Sequence, residues 1–322
     1  YEGLDSMLNF YMYYNLMQAA ANGDRQPTYR VAANVSGAYI PDGGNNFVPN
    51  VQSDPNNPDT KVNVPFGGAW NYGGVSAAFN RYRSDDGQLD THAVDGLFTS
   101  NHDLVRPLNK ITGTLTASGD ISTRGTITSV NAAHATEMAL TTGAAVLLMP
   151  GLSWIYYGDE LGMSGNLPSG QGETTPNADR FSRQPFKWDL AGTSPYNTRY
   201  TFTGDKTYDV EWDSYNVNLP GVSEQSLDSS SMLNSFRQLT ALKSAHKALK
   251  TGTYSPISMT HYGSDYNVFA FSRSDGTETY NIYINMSNNT VALSGVSGEI
   301  ALSLKAATKT SLPKWSVLVT VE

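Results

Sequence analysis

The order strand, helix, strand across residues 94–157 constrains this chain more than any other feature. Val94 to Ser100 is a short apolar run that reads as a strand. A polar stretch to Val130 leads into a helix, with Asn131 as its expected cap and His134, Met138, Thr142 and Ala145 along one face. Pro150-Gly151 breaks that helix. Leu152 to Tyr157 is a second strand by its β-branched and aromatic content, closed by Gly158. Two strands joined through a helix are the signature of a parallel α/β arrangement. Gly3 to Tyr14, rich in Leu, Met, Phe and Tyr, adds a candidate buried strand running into a helix.

The rest of the chain divides by character. Residues 22–90 collapse into turn chemistry, with breaker clusters at Pro41-Asp42-Gly43-Gly44, Asp54 to Asp59 and Gly67-Gly68-Ala69-Trp70. A loop that long is usually functional. Tyr29 to Val35 and Val75 to Tyr82 read as short regular pieces within it. Residues 164–227 are again loop-like, with one dense patch at Arg183 to Asp189. Ser229 to Leu249 has the spacing of a long helix, ended by Gly252. Beyond it Tyr280, Ile282, Ile284 and Met286 alternate with Asn281, Tyr283 and Asn285, and Val317, Val319 and Val321 repeat the pattern. These predict a small antiparallel β-sandwich over 252–322, after an α/β portion over 1–251.

Composition excludes several classes of function. The net charge is −8 and no basic run occurs, which argues against a nucleic-acid partner. There are no cysteines, so thiol catalysis and thiolate metal sites are out. The longest apolar run, Gly143 to Met149, is too short to span a membrane. The start at Tyr1, without initiator Met or signal peptide, gives the expectation of a piece of a longer product.

The chemistry concentrates where the strand at 94–100 ends. Asn101-His102-Asp103 places an amide, an imidazole and a carboxylate together, at the end of a strand where α/β barrels build their sites. A carboxylate there can stabilise an oxocarbenium ion, and an imidazole can hold a sugar hydroxyl. The competing reading is a solvated loop whose Asn and Asp make turns.

Phe98 to Arg106 resembles the fourth sequence region of the α-amylase family of glycoside hydrolases. Ala144 to Met163 is similar to that family's eighth barrel strand with its preceding helix, and Arg183 to Asp189 to the arginine and tryptophan segment after it. Gly3 to Phe10 resembles the sixth strand, Ser231 to Leu249 the last barrel helix, and 253–322 the C-terminal β-sandwich. The resemblance implies a (β/α)8 TIM barrel, of which only the last three strand units are present, followed by that sandwich.

It also implies roles. Asp103 matches the transition-state-stabilising carboxylate, His102 the histidine that binds sugar hydroxyls, and Arg106 an arginine with a structural role. Tyr156, Tyr157, Asp159 and Glu160 are read as supports of the strand end. Arg183 and Trp188 are candidates to line the sugar groove, against a loop anchored by a buried Trp. Trp70 and Tyr72, bordered by glycines, are candidates to stack on sugar rings, against aromatics that pin a loop.

The departure from the family is large. Retaining hydrolysis needs a nucleophile and an acid/base, and the family's motifs for both are absent. The first five strands are absent too, so the missing N-terminal half of the barrel becomes an expected partner and the chain alone is expected to be inactive. The family's calcium would have its ligands mostly in that missing part. Asp42, Asp54 and Asp59 lack regular ligand spacing and read as solvated turns, and no metal ligand is assigned. The expected activity is that of a retaining α-1,4-glucan hydrolase on starch or maltodextrins, with a glucanotransferase or a non-catalytic glucan-binding fragment as alternatives. A polymeric substrate gives the expectation of a secreted or cell-surface bacterial protein.

Overall fold

Three short parallel strands and their helices organise the described residues of the α/β portion. The computed structural model describes residues 6–8, 13, 16–17, 20–21, 23–24, 50–54, 57–64, 94–114, 121, 123–169, 172, 178–191, 212–257 and 268–322. Strand β1 (Ser6–Leu8) is followed by helical residues Tyr13, Leu16, Met17, Ala20 and Ala21. All five are buried, as the i, i+3, i+4, i+7 spacing of one helix face requires. An antiparallel hairpin, β2 (Asn50–Asp54) with β3 (Asn57–Val64), lies inside the expected loop 22–90. Within the breaker cluster at 54–59, Asp54 of β2 pairs with Asn57 of β3. Tyr29 to Val35 and Val75 to Tyr82 lie outside the described residues.

Strand β4 (Val94–Phe98) pairs parallel with β1 and with β5 (Leu152–Trp154), in the order β1-β4-β5. Helix α1 (Pro107–Ile111) and helix α2 (Ala132–Leu148) make the crossover between β4 and β5. The expected strand 152–157 stops at Trp154, because the chain turns at Tyr157-Gly158 with Gly158 at φ 87°. Asn131 precedes α2 but does not cap it with its side chain. Its Oδ1 accepts from the Thr128 amide at 2.8 Å and its Nδ2 donates to Thr126 O at 2.9 Å, closing the loop before the helix.

After a short helix α3 (Val222–Gln225), the expected single helix over 229–249 is two, α4 (Met232–Ala245) and α5 (Lys247–Thr251). His246, at φ −117° and ψ 126°, is extended and breaks them. Ser231 caps α4 by accepting from the Asn234 amide at 3.1 Å. Helix α4 packs on α2, where Gly143 makes the close approach: a Cβ there would lie 2.5 Å from Phe236 Cζ. Gly143→Ala gains helix propensity of about 1 kcal/mol but overpacks a core ring, a cost of about 1–3 kcal/mol. Net destabilisation is expected in urea unfolding, with recovery when Phe236→Leu is added.

The C-terminal part is an antiparallel sheet in three layers' middle position. Its strands are β6 (Thr253–Pro256), β7 (Val268–Ser274), β8 (Thr279–Asn285), β10 (Glu299–Leu304) and β12 (Val317–Val321), ordered β10-β12-β8-β7-β6. A second, two-stranded sheet pairs β9 (Val291–Ala292) with β11 (Ser311–Leu312). Alternation along the strands splits their side chains between two cores. Phe269, Phe271, Ile282, Ile284, Val317 and Val319 join the core of the helices. Val268, Ala270, Tyr283 and Leu318 face Val291 and Leu312 of the small sheet. Tyr283 and Asn285 are therefore buried as well, as the expected sandwich requires of a strand covered on both faces. Arg273 of β7, 1% exposed, donates to Leu148 O at 3.0 Å and so caps the C-terminus of α2 from the sheet.

Candidate active site

Asp103 stands on a loop hung between two buried anchors at the C-terminal end of β4. The loop begins at Thr99-Ser100 and ends at Arg106, all buried. Pro107 sits at the first turn of α1, where it holds the preceding residue extended and needs no amide partner. Between the anchors, Asn101 organises the turn: its Oδ1 accepts from the Asp103 amide at 2.8 Å and its carbonyl from the Leu104 amide at 3.3 Å. His102 and Asp103 project from this turn with side chains 66% and 65% exposed. His102 Nε2 lies 3.2 Å from Asp103 Oδ2.

Arg183 reaches the same point from a distant segment. Its Nε donates to His102 O at 2.7 Å, and its Nη2 to Asp103 Oδ1 at 3.3 Å and to Asp179. Asp103, His102 and Arg183 are thus brought together, and Arg183 is engaged with the loop itself. Asp179 was not among the sequence candidates. Its i, i+4 spacing to Arg183 in a short helical turn was the available signal.

The Arg183 segment is rigidly seated. Asp213 Oδ2 accepts from Ser164 Oγ at 2.6 Å, Asn166 N at 3.0 Å and Gln184 Nε2 at 3.1 Å. Gln184 Oε1 accepts in turn from the Asp213 amide and from Asn216 Nδ2, each at 2.8 Å. Farther along, the buried Lys187 donates to Val217 O at 3.0 Å and Leu190 O at 3.3 Å, with its ammonium 3.8 Å from the centre of the Trp212 ring. Burial lowers the Lys187 pKa, partly offset by Asp189 and Glu224. Trp188 beside it is 39% exposed, its ring edge-on to Phe186 at 4.8 Å, so it is not the buried anchor of the alternative reading. Trp70 and Tyr72 lie outside the described residues.

Beneath the loop, Asp159 is 1% exposed. It accepts from Ser100 Oγ at 2.6 Å, Thr99 Oγ1 at 3.0 Å and Arg106 Nη1 at 3.1 Å. Burial raises its pKa, against the lowering effects of Arg106 and the two hydroxyls. Arg106, wholly buried, also donates to Tyr157 O, and its Cζ sits 4.8 Å from both the Tyr156 and Tyr157 ring centres. Glu160 folds back to accept from the Gly158 amide at 2.7 Å, and burial raises its pKa also. Among the described residues no group of three His, Cys, Asp or Glu side chains comes together as a bound ion would require. None of their helices is long and apolar enough to cross a membrane.

Comparison with known proteins places this geometry. A family model, the alpha amylase catalytic domain, matches residues 75–252, more than half of the chain. Alpha-amylase 3 of Dictyoglomus thermophilum is 27% identical over 170 residues, 52% of this chain and 26% of its own length. Alpha-amylase SusG of Bacteroides thetaiotaomicron is 37% identical over 110 residues, 34% of this chain and 13% of its own. The crystal structure of alpha-amylase from H. orenii superposes with a TM-score of 0.57 at 20% identity, covering 99% of this chain and 49% of that one. Trehalulose synthase MutB from Pseudomonas mesoacidophila MX-45 gives 0.53 at 18% identity, covering 72% and 44%. The chain therefore spans half or less of the proteins it matches. The parallel strands are the corresponding part of a TIM barrel, followed by the C-terminal antiparallel sheet domain. With a carboxylate at the end of a barrel strand and a family model covering that strand, β5 and helices α1 to α5, the chain belongs to the α-amylase family of glycoside hydrolases.

Proposed function

We propose that this chain supplies the transition-state-stabilising wall of a retaining α-1,4-glucan hydrolase acting on starch or maltodextrins. The observation that carries the reading is the exposed Asp103 carboxylate at the C-terminal end of a parallel strand, flanked by His102 and Arg183. In retaining hydrolysis a nucleophile attacks the anomeric carbon while an acid protonates the leaving oxygen. Positive charge then develops on the sugar ring, and a fixed carboxylate lowers the energy of that state more than of the ground state.

Asp103 takes this role. His102 binds a sugar hydroxyl, Arg183 holds Asp103 and the His102 backbone in place, and Trp188 offers a ring face to the glucan. Trp70 and Tyr72 are proposed as further stacking residues. The nucleophile and acid/base would come from the N-terminal half of the barrel, which is the proposed partner. Calcium is proposed to be held mostly by that N-terminal half, and no step here runs through it. The proposed polymeric substrate supports a location outside the cell or on its surface.

The test is product analysis after incubation of the assembled barrel with maltoheptaose. Shorter maltodextrins support the hydrolase. Only elongated products would assign a glucanotransferase instead, and binding without turnover would leave a glucan-binding protein.

A further inference from the structure

We propose that Asp159 is the positioning residue of the Asp103 loop: one buried carboxylate closes the loop by holding both of its ends. The inference rests on the catalytic reading of Asp103 for its consequence, but not for its geometry. The carboxylate divides its work. Oδ2 takes the Thr99 and Ser100 hydroxyls at the loop's start, at 3.0 and 2.6 Å, and Oδ1 takes Arg106 at its end, at 3.1 Å. Ser100 precedes Asp103 by three residues and Arg106 follows it by three.

Everything between these anchors is held more weakly. Two hydrogen bonds to Asn101 shape the turn, and the contacts of Arg183 to the His102 carbonyl and to Asp103, like that of His102 to Asp103, are solvent-exposed. Exposed pairs contribute little to holding a geometry, whereas buried charge-assisted hydrogen bonds are the strong ones. The two ends of the loop are thus set from below, and Arg183 adds an exposed contact from outside. Asp159 itself comes from the turn after β5, so it also ties the ends of two neighbouring strands together.

A carboxylate suits this task and an amide does not. Both oxygens of Asp159 accept, each serving one end of the loop. Asn at this position has one acceptor, and its amino group would face either the guanidinium, donor against donor, or the hydroxyls. The rival explanation is that Asp159 merely neutralises the buried Arg106. These separate experimentally, because Thr99→Val with Ser100→Ala frees one end of the loop and leaves the Asp159–Arg106 pair intact.

The test compares Asp159→Asn and the Thr99→Val/Ser100→Ala variant with the wild type by hydrogen exchange at the Asp103 and Leu104 amides, with the amides of α2 as a folding control. Turnover of maltoheptaose is measured in parallel on the assembled barrel. The expectation is exchange at least about tenfold faster in the loop, unchanged in α2 for the hydroxyl variant, with kcat lowered more than KM is changed. Faster loop exchange with unaltered turnover would uphold the positioning role and overturn the catalytic reading of Asp103. Unaltered loop exchange in the hydroxyl variant overturns the positioning role, whatever happens to turnover. If Asp159→Asn fails to fold, the hydroxyl variant alone decides.

Discussion

Asp103→Asn in the assembled barrel is expected to lower kcat for maltoheptaose by about 10²–10³-fold, the scale of removing one preorganised charge partner of a transition state. The substitution is nearly isosteric, so what it removes is the negative charge. Stability should hardly change. The side chain is 65% exposed, and its contact with Arg183 at 3.3 Å is a surface pair of small energetic weight. KM should move little, since a group that acts only on the developing charge contributes little to ground-state binding. Steady-state kinetics on the purified variant, beside its thermal unfolding, checks both halves. Turnover within a few-fold of wild type would remove Asp103 from the chemistry.

Arg183→Ala probes the same point from outside. Its guanidinium touches the His102 carbonyl and the Asp103 carboxylate, so its loss should lower kcat by about tenfold while leaving the fold intact. The effect is expected to be smaller than that of Asp103→Asn because the anchors under the loop remain. Kinetics of the two single variants and the double variant gives the coupling.

How much of this was legible in the residues depends on the range of the interaction. The order of strands and helices was, because β4, α2 and β5 are each written in local periodicity and closed by Pro150-Gly151 and Gly158. The identity of the loop was legible too, since Asn101-His102-Asp103 and Arg106 lie within six residues of one another. Long-range partners were not. Asp159 is sixty residues from Thr99, and Asp213 is twenty-nine from Gln184, so no local pattern links them. Trp188 illustrates the same limit. Its neighbour Lys187 takes the buried position instead, its ammonium tied to Leu190 and Val217 and set against Trp212, all through partners distant in the chain or unmarked by any local pattern. The break at His246 escaped the helical spacing because Leu242 and Leu249 remain seven apart across it, and hydrophobic spacing does not report backbone angles.

Arg106→Met is expected to cost about 3–5 kcal/mol at neutral pH, the range for removing one partner of a buried ion pair. Met roughly preserves the length of the side chain, so the loss falls on Asp159, left charged and 1% exposed with only the hydroxyls of Thr99 and Ser100. The pH dependence follows from the direction of its shift. Burial already raises the Asp159 pKa in the folded protein, and Arg106 is the largest influence opposing that rise. Without Arg106 the folded value moves up further. Between the unfolded value, about 3.9, and the folded one, the native state binds more protons than the unfolded state, so stability falls as pH rises through that window. The deficit should therefore be least in acid and reach its full size above the folded pKa. Urea unfolding of wild type and variant across this range measures it, and a deficit that grows towards acid would contradict the assignment. Adding Asp159→Leu should recover much of the neutral-pH loss, because no charge is then left buried. In wild-type Arg106, Nε and Nη2 are buried without a hydrogen-bond partner among the described residues, so the native pair carries a desolvation cost that the double variant escapes. A chain that keeps so costly a pair directly under Asp103 spends stability on the geometry of that loop.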